Sequence, residues 1–184
     1  YLVAGLAYAV VWFLLPVAAF AFFILLTWFH WGQGELYPLL DIVGAEYLRS
    51  PGQQALAVIV RGGAPMLVPL VAFPEQYRFV AGSLIGLFDP SAAAALEPVF
   101  GTGPRLVVAA LYGSAVVAAV ALGYVRTDRF EPWAVDAGEM VLLTAFFLVV
   151  PPILAIGVYF CFWHSLRHVV RTALLHDASA DHID

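Results

Sequence analysis

Two histidines, His164 and His168, close the run Tyr159-Phe160-Cys161-Phe162-Trp163-His164-Ser165-Leu166-Arg167-His168 at the end of a long apolar segment. Four residues apart on a helix, they share one face, one turn apart. Ionisable groups in a membrane segment cost free energy and mark functional sites. Two neutral imidazoles facing the same way are half of a metal site.

A third histidine, His30, heads the string Phe29-His30-Trp31-Gly32-Gln33-Gly34-Glu35 at the end of another apolar segment. It is a candidate third ligand. Gln33 and Glu35 are candidates for the outer partner that orients a ligating imidazole. An interfacial histidine beside a tryptophan belt is the competing reading of His30. Three imidazoles suit zinc, iron, copper or nickel. The lone Cys161 falls about 60° from the His164/His168 face in helical projection and is expected to be a small buried hydrophobe. Phe29, Trp31, Phe160 and Trp163 around the histidines suit a large, flat apolar substrate or a haem. The remaining two histidines, His176 and His182, lie in a polar tail and are expected to be solvated.

These residues sit in a chain built for a bilayer. The hydrophobic fraction is 63% and the mean hydropathy +0.92, against a usual apolar share of about 45–50%. Charged residues are only 11%. All eight basic residues are arginine, so no lysine is present to form a retinal Schiff base. There is no basic cluster for nucleic acid. The single cysteine excludes a disulfide framework within the chain. Thirteen acidic residues and the acidic tail Asp177, Asp181, Asp184 hint at a salt-loving host. Tyr1 already lies in an apolar run, which suggests an internal fragment of a longer protein.

The expected fold is all-α: a polytopic membrane protein of about six hydrophobic helices. The block Tyr1–Trp31 would be about 46 Å long as one helix, too long for a core of about 30 Å. Pro16 divides it into a truncated first helix and a span over about 17–34. Residues 35–53 read as a loop with a short helix. A third span, 54–73, is interrupted by Arg61-Gly62-Gly63-Ala64-Pro65 and by Pro69, and its Arg and Gly pair must face protein or water. Residues 74–103 read as interfacial, 104–125 as a clean span. The last block breaks at Pro151-Pro152 into spans over about 134–150 and 152–172. One helical domain, 1–175, is thus followed by a loose polar tail, 176–184. Four crossings separate His30 from His164 and His168, which places all three at one membrane face. Arg49, Arg126, Arg129 and Arg171 flank that face, so the positive-inside rule turns it to the cytoplasm of a multi-pass cell-membrane protein.

At these motifs the chain resembles the Brp/Blh membrane proteins, β-carotene dioxygenases that supply retinal to microbial rhodopsins in halophilic archaea. The likeness rests on Val150-Pro151-Pro152 through the His-Ser-x-x-His stretch at His164 and His168, on Phe29-His30-Trp31-Gly32-Gln33-Gly34-Glu35, and on Arg61-Gly62-Gly63 through Pro69. It implies a non-haem Fe(2+) held by four histidines, three of them matched by His30, His164 and His168. The fourth belongs to an upstream Pro-His-Gly-Ala-type helix that this chain does not contain. Glu35 stands where the family often has Asp. The resemblance further implies that β-carotene lies in an apolar tunnel lined by Phe29, Trp31, Phe160 and Trp163, and that O2 cleaves its central 15,15′ double bond to two retinal molecules.

The residues alone leave two other functions open. A membrane haem protein could carry electrons through His30 and one of the pair as axial ligands, and a Soret band would reveal it. A carotenoid-binding or transport protein would need neither metal nor cleavage.

Overall fold

In the computed structural model, which describes residues 2–180 with side chains to Ala173, every long element is a helix. Prolines set the starts. Pro16, Pro51 and Pro152 each occupy the first helical turn, where the missing N–H has no partner to lose. α1 (Leu2–Leu14) meets α2 (Pro16–Tyr37) at Leu15, whose backbone leaves the helical region. The Tyr8 hydroxyl donates to the Ala19 carbonyl at 2.8 Å and ties α1 back onto α2.

α3 (Pro51–Ala72) is the central helix. Of its most apolar stretch 61% is buried, against 17–28% for the other four helices long enough to span a bilayer: the segment that begins with α2, α5 (Thr102–Arg126), α6 (Phe130–Val149) and Pro152–Ala173. Close approach to α2 explains the glycines. A methyl at Gly62 would stand 2.0 Å from the Trp28 carbonyl oxygen, and one at Gly32 2.3 Å from that of Val58. Trp28 Nε1 donates to Ile59 O at 2.8 Å across the same contact. On the other side Tyr112 of α5 donates to Val60 O at 3.1 Å. Trp133 of α6 donates to Val120 O at 3.0 Å and joins α6 to α5.

The core runs along this bundle. Trp31, Val60, Met66, Tyr112, Phe147 and Tyr159 belong to its main cluster. A second cluster, Phe20, Leu70, Ala81, Ile85 and Phe100, seats α4 (Pro74–Gly86) and the 3-10 segment Ala92–Phe100 at the end remote from His30.

Five helices are long and apolar enough to cross a membrane, with the shorter apolar α1 before them, and the chain is a multi-pass all-α membrane protein. Four local expectations are corrected. α3 is unbroken through Pro65 and Pro69, both fully buried, because packing neighbours support proline in a spanning helix. The polar run after Gly34 is no loop at its start. α2 continues to Tyr37, a π-helical turn follows over Pro38–Ile42, and a 3-10 turn covers Glu46–Arg49. Cys161 is exposed, not buried. Residues 176–180 of the polar tail are helical, as part of α8 (Ser165–Ala180); the side chain of His176 and residues 181–184, His182 among them, lie outside the described residues.

Candidate metal centre

Two segments far apart in sequence converge at one end of the bundle. α2 carries His30. α7 (Pro152–Val158) leads into a π-helical segment, Tyr159–His164, and α8 carries His168. The Pro151-Pro152 break turns the chain back, so the histidine-bearing helix returns to the end of the bundle that holds His30.

The imidazoles do meet. The ring centres of His30 and His164 are 5.6 Å apart and edge-on, and those of His164 and His168 are 6.3 Å apart and stacked. His164 is the central and buried member, while His30 and His168 are exposed. All three line one open cavity of about 710 Å³ with Phe160, Ser165 and Val169. The π-helical segment is itself an indicator, since single π turns inside α-helices concentrate at functional sites.

His164 is fitted from several sides. Its ring centre lies 5.9 Å from Trp31, 6.1 Å from Tyr159 and 6.2 Å from Phe160. Behind it stands Gly34, where a methyl would come within 2.9 Å of the imidazole Cε1. The lack of a side chain at Gly34 therefore leaves the space in which His164 packs against α2.

The donor chemistry fits a divalent metal of borderline softness: three imidazoles on one cavity wall, with no thiolate among them. Nitrogen ligands stand about 2 Å from such an ion. Among the described residues no three His, Cys, Asp or Glu side chains are drawn together as a closed ligand set. The three rings are thus grouped but stand apart.

Beneath the histidines lies a feature that sequence reasoning only touched. Glu35 is fully buried, and its carboxylate accepts from four donors on three segments. These are Arg61 Nη1 at 3.4 Å, the Tyr159 hydroxyl at 3.3 Å, Trp163 Nε1 at 3.0 Å and Arg167 Nη1 at 2.9 Å. Arg61, also fully buried, reaches Glu139 at 3.0 Å and both the side chain and the carbonyl of Asp136. Arg167 closes the circuit on Glu139 and stacks over Trp163 at 4.4 Å. Tyr47 donates to Asp136 at 2.6 Å. Burial, reinforced by the Asp136 carboxylate, pushes the Tyr47 phenol well above its usual range, so it remains a donor. Counted formally, three carboxylates face two guanidinium groups.

The candidate residues thus separate. His30, His164, His168 and Phe160 share a cavity. Glu35 gives its carboxylate to arginines, Tyr159 and Trp163; among the described residues it forms no hydrogen bond to an imidazole. Gln33 is exposed. Trp31 packs on His164 but lines a second, separate apolar cavity. Trp163 faces a small cavity of about 170 Å³ beside α6. Phe29 is 53% exposed and lines none of these three cavities. Cys161 lies in a different groove with Gln76 and Leu154. Asp136, Glu139 and Tyr159 were not singled out from sequence. The one signal was Arg61, a cation at mid-span that requires partners.

A family model described as beta-carotene 15,15'-dioxygenase matches residues 1–183. The chain belongs to this family. It is 48% identical over 171 residues to the probable beta-carotene 15,15'-dioxygenase Blh of Halobacterium salinarum, covering 93% of this chain and 49% of that protein. It is 35% identical over 184 residues to the probable beta-carotene 15,15'-dioxygenase Brp of the same species, covering all of this chain and 51% of that protein. The chain thus spans about half the length of the curated relatives it matches. No solved structure matches.

Proposed function

We propose that the full-length protein cleaves β-carotene at its central 15,15′ double bond with O2, giving two molecules of all-trans-retinal. The balance is simple: the carbon–carbon double bond breaks, and each of its carbons keeps one oxygen atom. The observation that carries the reading is the convergence of His30, His164 and His168 on one cavity wall in a chain of this family.

In this reading His30, His164 and His168 hold Fe(2+), with a further ligand supplied from outside this chain. Bound there, ferrous iron would supply the activation of O2 that a spin-paired hydrocarbon cannot provide alone. The protein's own part is positional. Phe160 and the aromatic packing around His164 give the cavity an apolar wall against which the polyene can lie. The excess formal negative charge around Glu35 favours a cation at the neighbouring imidazoles. The bilayer stores the apolar substrate and accepts the product, and a microbial rhodopsin is the proposed recipient of retinal. The arginine distribution supports a cell-membrane orientation with the histidine end toward the cytoplasm.

The test is expression of the full-length protein in cells that make β-carotene. Loss of orange colour with accumulation of retinal is expected. Unchanged colour in the presence of a folded, iron-loaded protein would overturn the reading.

A further inference from the structure

A second cavity, of about 330 Å³, lies in the other half of the bundle and is lined almost wholly by apolar side chains, with Thr27 and Tyr77 the polar exceptions. Its walls have a direction. Along α2 it runs from Phe20 through Ile24 to Trp31, about 16 Å of helix. The Trp31 ring then stands 5.9 Å from that of His164. The opposite wall, Pro152 and Ile156 of α7, belongs to the same continuous segment that ends at His164. Pro65 and Pro69 of α3 and Tyr77 and Leu84 of α4 complete the lining. Both walls therefore lead toward the histidines, and Trp31 stands at that end.

The size is selective. A dry apolar cavity of about 150 Å³ accepts a benzene ring, so this one has room for about two such units. That is a methylated cyclohexene ring with the first carbons of a polyene, and far less than a whole carotene. A lipid acyl chain is the other apolar occupant available, but it needs neither the width nor the alignment with His164.

We infer that this slot between α2, α3, α4 and α7 seats one cyclic end of the carotenoid, with Trp31 at its histidine-facing end, where the polyene would pass on toward the histidine cavity. The inference rests on the proposed substrate class. It also explains why an aromatic placed beside the metal candidates lines a cavity other than theirs.

The test measures binding, not cleavage. Full-length protein in lipid nanodiscs is titrated with β-carotene and with an acyclic carotene of the same carbon count, and binding is read by quenching of tryptophan emission. Leu84→Trp and Ile156→Phe fill the slot from two different helices, at positions remote from the histidines. Each is expected to weaken β-carotene binding by about tenfold or more while the acyclic carotene stays within about threefold of the parent protein. Unchanged β-carotene affinity in both folded variants, as a lipid-filled slot would give, overturns the inference. An equal loss for both carotenes overturns it as well. Retinal formation by the unsubstituted protein is assayed separately. Cleavage without slot dependence removes the seat and leaves the proposed reaction; slot-dependent binding without cleavage does the reverse.

Discussion

Glu35 of α2 and Arg167 of α8 form a 2.9 Å ion pair. Glu35 lies five residues beyond His30, and Arg167 stands between His164 and His168 in the chain. The pair therefore joins the two helices that present the imidazoles. Arg61 extends the bond to α3, and Asp136 and Glu139 extend it to α6. Hydrophobic packing can slide in such a bundle, because lipid is as apolar as the core. A buried ionic circuit with directional donors cannot slide without leaving charges unpaired.

Replacing Glu35 is expected to separate charge from shape. Glu35→Ala strips Tyr159 and Trp163 of their acceptor and takes one of the carboxylates from Arg61 and from Arg167. Breaking a buried pair by removing one partner costs about 3–5 kcal/mol, so a large drop in thermal midpoint in detergent is expected. Glu35→Gln keeps an acceptor oxygen and leaves two carboxylates facing two guanidiniums. It should fold, with a smaller loss of stability and weaker metal binding than the parent. Equal destabilisation by both changes would show that the circuit holds the helices by charge alone, with no contribution from the acceptor geometry that Gln keeps.

Gly34 and Gly32 predict opposite outcomes from the same added methyl. At Gly34 it would meet the far end of the His164 ring at 2.9 Å. The imidazole can swing, so Gly34→Ala is expected to fold and to bind cobalt(II), read by its visible absorption, about 10–100-fold more weakly, the range seen when a ligand loses its orienting contact. At Gly32 the methyl would meet the Val58 backbone oxygen at 2.3 Å. Backbone cannot swing, so Gly32→Ala should open the α2–α3 contact and lower stability first. A Gly34→Ala protein with undiminished cobalt affinity would detach His164 from the metal centre.

Much of this architecture was legible from prolines and parity. Pro16 and Pro151-Pro152 mark real breaks, and the count of crossings alone brings His30 to the end of the bundle that holds His164. The α3 prolines misled, because burial against neighbouring helices cannot be read from a local pattern. The polarity of Glu35 suggested a loop for the same reason: its partners sit 26 to 132 residues away on other elements. Asp136, Glu139 and Tyr159 carry no local signature, since each acts only where three helices meet. Nor does periodicity announce the π-helical turn at Tyr159–His164, which alters the angle on which the Cys161 projection was based.

Arg61 offers a sharper test of that long-range circuit. Its guanidinium reaches Glu35, Asp136 and Glu139 at once, with Nη1 shared between two of them. A lysine carries the same charge on a compact head without the planar fork, and it shifts its pKa readily when buried. Arg61→Lys is therefore expected to behave as a disruptive change and to lower the thermal midpoint although the charge is kept. Thermal denaturation of the full-length protein reads this directly. Parent-like stability would mean that charge, and not the fork, meets the need at mid-span.

Removing the imidazoles one at a time should rank them. His164 is the central ring, within 5.6 Å of His30 and 6.3 Å of His168 by ring centres. An ion shared by all three loses its middle ligand in His164→Ala, and bound iron measured after purification should fall to background. His30→Ala and His168→Ala each remove an outer, exposed ring and should leave weak, chelator-sensitive metal binding. Retinal formation is expected to vanish in all three. Full iron content in His164→Ala would exclude that residue as a ligand and move the metal off the cavity wall the three histidines share.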